Sequence, residues 1–314
     1  MDLSVIIVNY KTKDLLDRCL QSLLRSTQAA EFEIIVIDNN SRDGSIHMLE
    51  KEYPQVTLIK NQENLGFAKA CNQGIRIAEG KYVFILNPDT LIEDNTLANI
   101  IDFMESNPKV GIGGCHIYSR RGKPQSCFYK FPTLLSYFSR MLSLFRILPR
   151  SRLTQEFFWE YPDDNIARPV DRVLGAAMVL RKEAVEQIGL FDERYFMYAE
   201  ELDLCYRARQ GGWEVYPIPD TEVIHYHQQS SLQNVRKTTF HTFKSDFLFF
   251  KKFFPQHKVA LLRLMQFCAI SLRLMTWSAV YLFSSTKRTF AKEKLFGYVK
   301  LLLSNFDYSE SILK

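Results

Sequence analysis

The run FILNPDTLIED (Phe84–Asp94) starts as a strand and stops at Asn87-Pro88-Asp89. Proline has no N–H to give to a central ladder, so the strand ends there and presents a carboxylate at its tip. Two more places carry side chains able to do chemistry. YAEELDLCYR sets the acids Glu200-Glu201 ahead of a helical stretch, and TEVIH ends an apolar run on His225. Carboxylate oxygens and imidazole nitrogens ligate divalent cations, and a hard cation that keeps waters and phosphates needs few protein ligands. A glutamate, titrating near ~4.3 when unperturbed, is ionised at neutral pH and able to accept a proton. Each group also has a structural reading. Asp89 could cap a helix from Thr90 onward, Glu200 and Asp203 could complement a helix dipole, and a lone histidine is often structural.

The elements that must position these groups follow from periodicity. Leu3–Val8, Phe32–Ile37, Val56–Lys60 and Lys81–Leu86 are short β-branched or apolar runs of the kind buried in a parallel sheet. Between them, Asp14–Ser26, Ser45–Tyr53 and Phe67–Ala78 carry helical stripes, with Asn64-Leu65-Gly66 as the turn into the last and Gly80 as its C′ residue. The alternation predicts an α/β, doubly wound sheet, mainly parallel, with ligands beyond the carboxyl ends of its strands. Three of those ends carry polar clusters: Asn9-Tyr10, Asp38-Asn39-Asn40-Ser41 and Asn87-Pro88-Asp89. The first half has no G-x-G-x-x-G and no G-x-x-x-x-G-K-[ST], which removes the main support for a Rossmann dehydrogenase or a P-loop NTPase.

At 314 residues and 46% hydrophobic, the chain can bury a large core. Six scattered cysteines without a C-x-x-C pair predict free thiols in a reducing compartment. The start, MDLSVIIVNY, lacks a basic n-region and predicts no secretory signal. The net charge of +5 is unevenly spread: after Val235 there are fourteen basic and four acidic residues, leaving an acidic body with a basic, apolar-rich tail. The Leu, Phe and Met content of that tail predicts a lipid surface rather than nucleic acid as its anionic partner.

Four segments in order carry a family resemblance: SVIIVNYKTKDLLDRCLQSL, VIDNNSRDGS, NLGFAKACNQGIRIAEGKYVFILNPDT and the stretch Gly175–Ser231 beginning GAAMVLRKEAVEQIGLFDERYFMYAEELDLCYR. The pattern, over roughly residues 3–231, resembles the family-two inverting glycosyltransferases with the GT-A fold, closest to bacterial dTDP-L-rhamnose-dependent rhamnosyltransferases. The resemblance implies that Val8, Tyr10, Asp38 and Asn39 surround the nucleobase and ribose. Asn64, Gly66, Lys69 and Asn72 would line the nucleotide, although Lys69 also reads as a solvated helix charge. NPDT stands where the family has its D-x-D metal motif, so Asp89 is the implied ligand of Mg²⁺ or Mn²⁺, with Asn87 beside it. His225, in an H-x₄-S pattern completed by Ser230, is the implied second ligand; His227, two residues on, lacks that context. Glu201 stands where the family's general base is usually an aspartate, and the extra methylene leaves Glu200 able to share the role. By the same resemblance Gly175 would border the donor-sugar pocket. Phe196 and Tyr198 read equally as an acceptor platform or as core, and Trp213 reads as core.

FPTLLSYFSRMLSLFRILPRSR (Phe131–Arg152), with Arg140, Arg146, Arg150 and Arg152 and no acids, reads as a basic amphipathic helix for a membrane surface or lipid pyrophosphate, or as a helix packed on the tail. Val259–Phe283 is long enough to span a bilayer but is interrupted by Arg263, Gln266 and Arg273, which share an arc of about 80°. An interfacial helix therefore fits better than a clean span, with an oligomer interface as the competitor. The expectation is a GT-A domain over 1–235 and a helical, membrane-associating appendage over 236–314, at the cytoplasmic membrane face. The reaction implied is transfer of L-rhamnose from dTDP-L-rhamnose to a lipid-linked or growing bacterial glycan. The alternatives are a UDP-hexose or UDP-N-acetylhexosamine donor, or a catalytically silent nucleotide- or glycan-binding partner.

Overall fold

The computed structural model describes residues 1–26, 31–144, 161, 168–226 and 235–303. They fall into two compact units. The first opens with β1 (Leu3–Asn9), α1 (Lys13–Arg25), β2 (Phe32–Asp38), α2 (Ser45–Glu52), β3 (Thr57–Lys60), α3 (Phe67–Ile77) and β4 (Tyr82–Leu86). Every residue of β1 and β4 is buried, which is why these strands read as unbroken apolar runs rather than as alternations. On α1, Leu16, Cys19, Leu20 and Leu23 form the face that packs down.

The unit continues with β5 (Thr90–Ile92), α4 (Thr96–Ser106), β6 (Val110–Ser119), β7 (Pro124–Gln125), β8 (Phe128–Tyr129), β9 (Arg172–Val173), β10 (Ala177–Arg181), α6 (Lys182–Ile188), α7 (Glu200–Gln210) and β11 (Glu214–His225). The main sheet runs β3-β2-β1-β4-β10-β6-β11-β5, with β7 hairpinned onto β6. The first four strands in that order are parallel. β10 is antiparallel to both β4 and β6, so its amino end lies at the carboxyl edge of β4, with Ala177 opposite Leu86. β6 and β11 then run with β4, and their carboxyl ends return to the same edge. β8 and β9 form a separate two-stranded ribbon with Tyr129 opposite Arg172. Gly114 of β6 admits that ribbon: a Cβ there would stand 2.5 Å from a Val173 methyl.

Two local expectations are corrected. Thr90 begins a strand, not a helix; α4 starts only at Thr96, behind Asn95, so Asp89 is not a helix cap. Gly80 is not a left-handed C′ residue. α3 closes on Ala78, and Gly80 is small because a Cβ would meet the Ser4 nitrogen at 2.5 Å, where the chain crosses β1. All six cysteines are free, and five are buried.

The second unit contains α5 (Leu134–Leu142) and three tail helices, Val235–Phe253, Gln256–Phe283 and Arg288–Leu303. Thr133 and Ser136 cap α5 reciprocally. α5 packs on the tail rather than presenting a basic face. Arg140 pairs with Asp246, and Tyr137 Oη accepts a hydrogen bond from Gln266 at 3.1 Å. Arg146, Arg150 and Arg152 lie outside the described residues, as do His227 and Ser230. On the second tail helix the polar arc divides. Gln266 is fully buried, and half-buried Arg273 donates to the Met141 carbonyl at 2.7 Å and lies over the Phe243 and Tyr298 rings. Arg263 is exposed and lies over Phe247. Leu264, Phe267, Leu272, Met275, Leu282 and Phe283 are exposed as well, up to 88% at Phe283.

Candidate active site

The carboxyl edge of the first unit's sheet carries the candidate chemistry. β1 and β2 deliver Asn9 and Asp38 side by side, in register. Asp38 is fully buried, and its carboxylate accepts from Asn9 Nδ2 at 2.8 Å and from the Ser41 backbone N–H at 3.0 Å. Asn9 in turn donates to Ser41 Oγ at 2.9 Å and accepts from Thr12 Oγ1 at 2.7 Å. The two strand ends are thus knotted to the loops that follow them. Asn39 continues the network, donating to the Gly66 carbonyl and accepting from Asn61. Val8 is the last apolar residue of buried β1, and Tyr10, half-buried, follows the strand with Lys11 over its ring.

Asn64 accepts from the Gly66 N–H at 2.9 Å and shapes the turn into α3. Gly66 has φ +84°, and a Cβ there would also strike the Phe196 carbonyl, so glycine is required twice over. The Phe196 carbonyl accepts from Phe67 N–H, which places Phe196 against this turn. Asn72 is buried, and its amide bridges α3 to Phe191 and Glu193; Lys69 is exposed nearby. Trp213 packs against Gly111 and donates to Gln187, behind the edge.

Asp89 and His225 come together. β5 pairs with β11 so that His225 stands opposite Thr90, and the Tyr226 N–H donates to the Asp89 carbonyl at 2.9 Å. This backbone frame brings Asp89 Oδ1 and His225 Nε2 to 3.2 Å, with both side chains buried. One carboxylate and one imidazole at that spacing suit adjacent positions on a divalent ion, whose ~2.1 Å bonds at right angles put neighbouring ligand atoms about 3 Å apart. No cluster of three or more His, Cys, Asp or Glu with metal-site geometry occurs among the described residues, so phosphate and water oxygens must complete such a shell. Asn87 uses its backbone here, donating to the Ala176 carbonyl and accepting from Thr90 Oγ1.

Glu200 and Glu201 open α7, and both are buried. Before them Tyr198 and Ala199 hold φ of 71° and 63°, a left-handed pair of non-glycine residues of the kind that costs about 1–3 kcal/mol each. Burial, and then the charge of Glu201, push the Glu200 carboxyl well above the ordinary carboxylate range. Its Oε2 has no hydrogen-bond partner among the described residues. Glu201 lies against Gly175, where even an added Cβ would stand 3.5 Å from the Glu201 Cβ, and Arg172 Nη1 lies 3.8 Å from Glu201 Oε1. The motif reading did not include Arg172, Asn9 or Ser41. Asn9 and Ser41 lay within the strand-end clusters, but nothing in RPVDRV marks its second arginine as part of a site.

Comparison with known proteins gives this geometry its context. Residues 4–188 match the family model "Glycosyl transferase family 2". An N-acetylglucosaminyl-diphospho-decaprenol L-rhamnosyltransferase of Mycobacterium tuberculosis is 29% identical over 240 residues, covering 73% of this chain and 77% of that protein. A low-salt glycan biosynthesis hexosyltransferase of Haloferax volcanii is 26% identical over 303 residues, 94% of this chain and 89% of that one. Among solved structures, a mannosyltransferase from Pyrobaculum calidifontis in complex with GDP-Man and Mn²⁺ superposes with a TM-score of 0.58 at 18% identity, over 98% of this chain and 88% of that one. The family match spans more than half of the chain, and the protein is therefore a member of glycosyl transferase family 2, with the GT-A fold.

Proposed function

We propose that the protein is a metal-dependent, inverting transferase that moves L-rhamnose from dTDP-L-rhamnose to a lipid-linked or growing bacterial surface glycan. The observation that carries the reading is the pairing of Asp89 with His225 at the same sheet edge that the Asp38 network shapes, in a unit where Glu201 is buried at the start of α7. Val8, Tyr10, Asp38 and Asn39 border the base and ribose, while Asn64, Gly66, Lys69, Asn72, Asn87 and Gly175 frame the rest of the donor. Asp89 and His225 would hold Mg²⁺ or Mn²⁺. The ion supplies positive charge that stabilises the departing nucleoside diphosphate. Glu201 takes the proton of the acceptor hydroxyl, and that oxygen bonds to the anomeric carbon from the face opposite the leaving group. The bond from the anomeric carbon to the phosphate oxygen breaks, its electron pair leaves with the diphosphate, and the configuration inverts. Gly175 keeps the space beside Glu201 free of a side chain.

The rhamnose reading draws on the mycobacterial relative; the hexosyltransferase relative favours another hexose, and the runner-up is a UDP-hexose or UDP-N-acetylhexosamine donor. Thermal-shift titration with dTDP and with UDP, each with Mn²⁺, separates them: stabilisation by UDP alone would sink the rhamnose assignment. Slow hydrolysis of one nucleotide sugar without acceptor would then name the donor. A silent binding partner would bind nucleotide but turn over none.

The tail attaches the enzyme to the cytoplasmic membrane face through the outer side of the helix Gln256–Phe283. That helix is long and apolar enough to cross a membrane, yet only 22% of its most apolar window is buried. Its exposed Leu, Phe and Met residues meet the acyl boundary, and exposed Lys251, Lys252, Lys258 and Lys287 meet anionic head groups. Flotation with vesicles containing anionic lipid tests this. Failure to float, together with a concentration-dependent dimer in solution, would reassign the face to an oligomer interface.

A further inference from the structure

Two carboxylates on consecutive residues at one helix end, both buried, do not readily ionise together, so the molecule must settle which one carries the charge. The geometry answers through a residue outside the family motifs. Arg172 sits on β9 with Nη1 3.8 Å from Glu201 Oε1, and the two side chains are only 10% and 11% exposed, so solvent screens the pair weakly. The guanidinium lies 4.4 Å from the ring centroid of Tyr129, the residue opposite it on β8. The arginine thus lies against both its ribbon neighbour Tyr129 and Glu201.

Among the described residues, the other titratable groups named around the pair supply no competing charge. Cys205, on α7, has its thiol pushed up to about 12 by burial, and Cys71 of α3 is held well above the ordinary thiol range by burial and then by the charge of Glu200. Both are neutral across the working range. Asp203 is turned to Arg207 and Tyr195, and Arg207 is committed to Asp203 and to the carbonyls of Ile188, Gly189 and Leu190. Among the described residues Glu200 Oε2 has no hydrogen-bond partner and no salt bridge forms at Glu200; the Arg172 charge reaches it too, but burial and the charge of Glu201 outweigh it.

We propose that Arg172 is a positioning residue for glycosyl transfer: held on Tyr129, it fixes the negative charge of the Glu200–Glu201 pair on Glu201 and orients that carboxylate towards the acceptor hydroxyl. The proposal rests on Glu201 being the base. With Arg172 in place, Glu201 accepts the acceptor proton while Glu200 stays protonated and neutral behind it. Without the guanidinium the proton is shared between the two carboxyls, and the base is lost first on the acid side.

The test is the pH dependence of kcat for the full-length chain with donor and Mn²⁺, in Arg172→Met, Arg172→Gln and Arg172→Lys, each compared with wild type for melting temperature and nucleotide affinity. The neutral variant that melts as wild type is expected to move the acid limb of the profile up by about one pH unit, a roughly tenfold loss on the acid side that fades at alkaline pH. Arg172→Lys restores most of the wild-type limb. A loss uniform across pH, or an unmoved limb, overturns the proposal. Glu201→Gln is run in parallel: if it retains transfer, the assignment of the base itself fails. If it is inactive while the Arg172 profile does not move, only the role given to Arg172 falls.

Discussion

The two flanks of the sheet edge are built on opposite principles. On the β1–β2 flank every buried polar side chain named above is matched: Asp38, Asn9, Ser41, Thr12 and Asn39 accept and donate among themselves. On the α7 flank a buried carboxyl oxygen lacks a partner, two non-glycine residues are held left-handed, and two acids share one helix end. The first flank is a finished scaffold, as the nucleotide-binding role proposed for it requires. The second stores unfavourable free energy at the acids proposed to handle the acceptor proton. That division is expected when binding needs a rigid frame and chemistry needs a destabilised group.

The sharpest way to break the contrast is Glu201→Gln. It should lower kcat by about a thousandfold while nucleotide affinity, measured by calorimetry, stays within about threefold. Loss of binding in step with rate would place Glu201 on the scaffold side. Asp89→Ala should cost about a hundredfold in kcat and abolish the gain in nucleotide affinity that Mn²⁺ confers, with Asn87→Ala far milder. If metal still tightened nucleotide in Asp89→Ala, the Asp89–His225 pair would not be the ion's seat. Asp38→Ala probes the matched flank. It strands Asn9 and the Ser41 N–H, and should cost about 2 kcal/mol of unfolding free energy in a urea titration, together with a higher donor KM.

The smallest expected effect has a defined sign. The Glu200 carboxyl is held above its unfolded range, so the folded state binds that proton more tightly. The stability this group contributes is full below the unfolded range and declines as pH rises towards the folded value. Glu200→Gln lacks that decline, so it should melt roughly 2 °C above wild type at alkaline pH and converge with it in acid. Its kcat should fall at least tenfold less than that of Glu201→Gln. A gap that widened towards acid would mean that Glu200 is the ionised member of the pair.

Legibility in the sequence followed the range of the interactions. The first four strands and the helices between them were readable to within a residue or so, because local periodicity specifies them. Pro88 marked its strand end for a local reason as well. The antiparallel insertion of β10 was not legible, since AMVLR looks the same in either direction. The backbone frame uniting Asp89 and His225 joins strands far apart in the chain, and only the motif resemblance linked them beforehand. The tail was legible only in part, for a different reason. Arg263, Gln266 and Arg273 were visible as one arc, but whether that arc faces water, lipid or protein depends on α5 and the neighbouring helices. Arg172 carried no local signal, because its meaning comes from Tyr129 across a two-residue ladder and Glu201 on another element.

The missing side chain at Gly114 has a reach beyond its own strand. It sets the thickness of the layer between the main sheet and the β8–β9 ribbon, since any Cβ would collide with Val173 next to Arg172. A side chain at Gly114 would press on the residue next to Arg172, so Gly114→Ala should disturb the ribbon that carries the arginine while leaving every motif residue in the sequence unchanged.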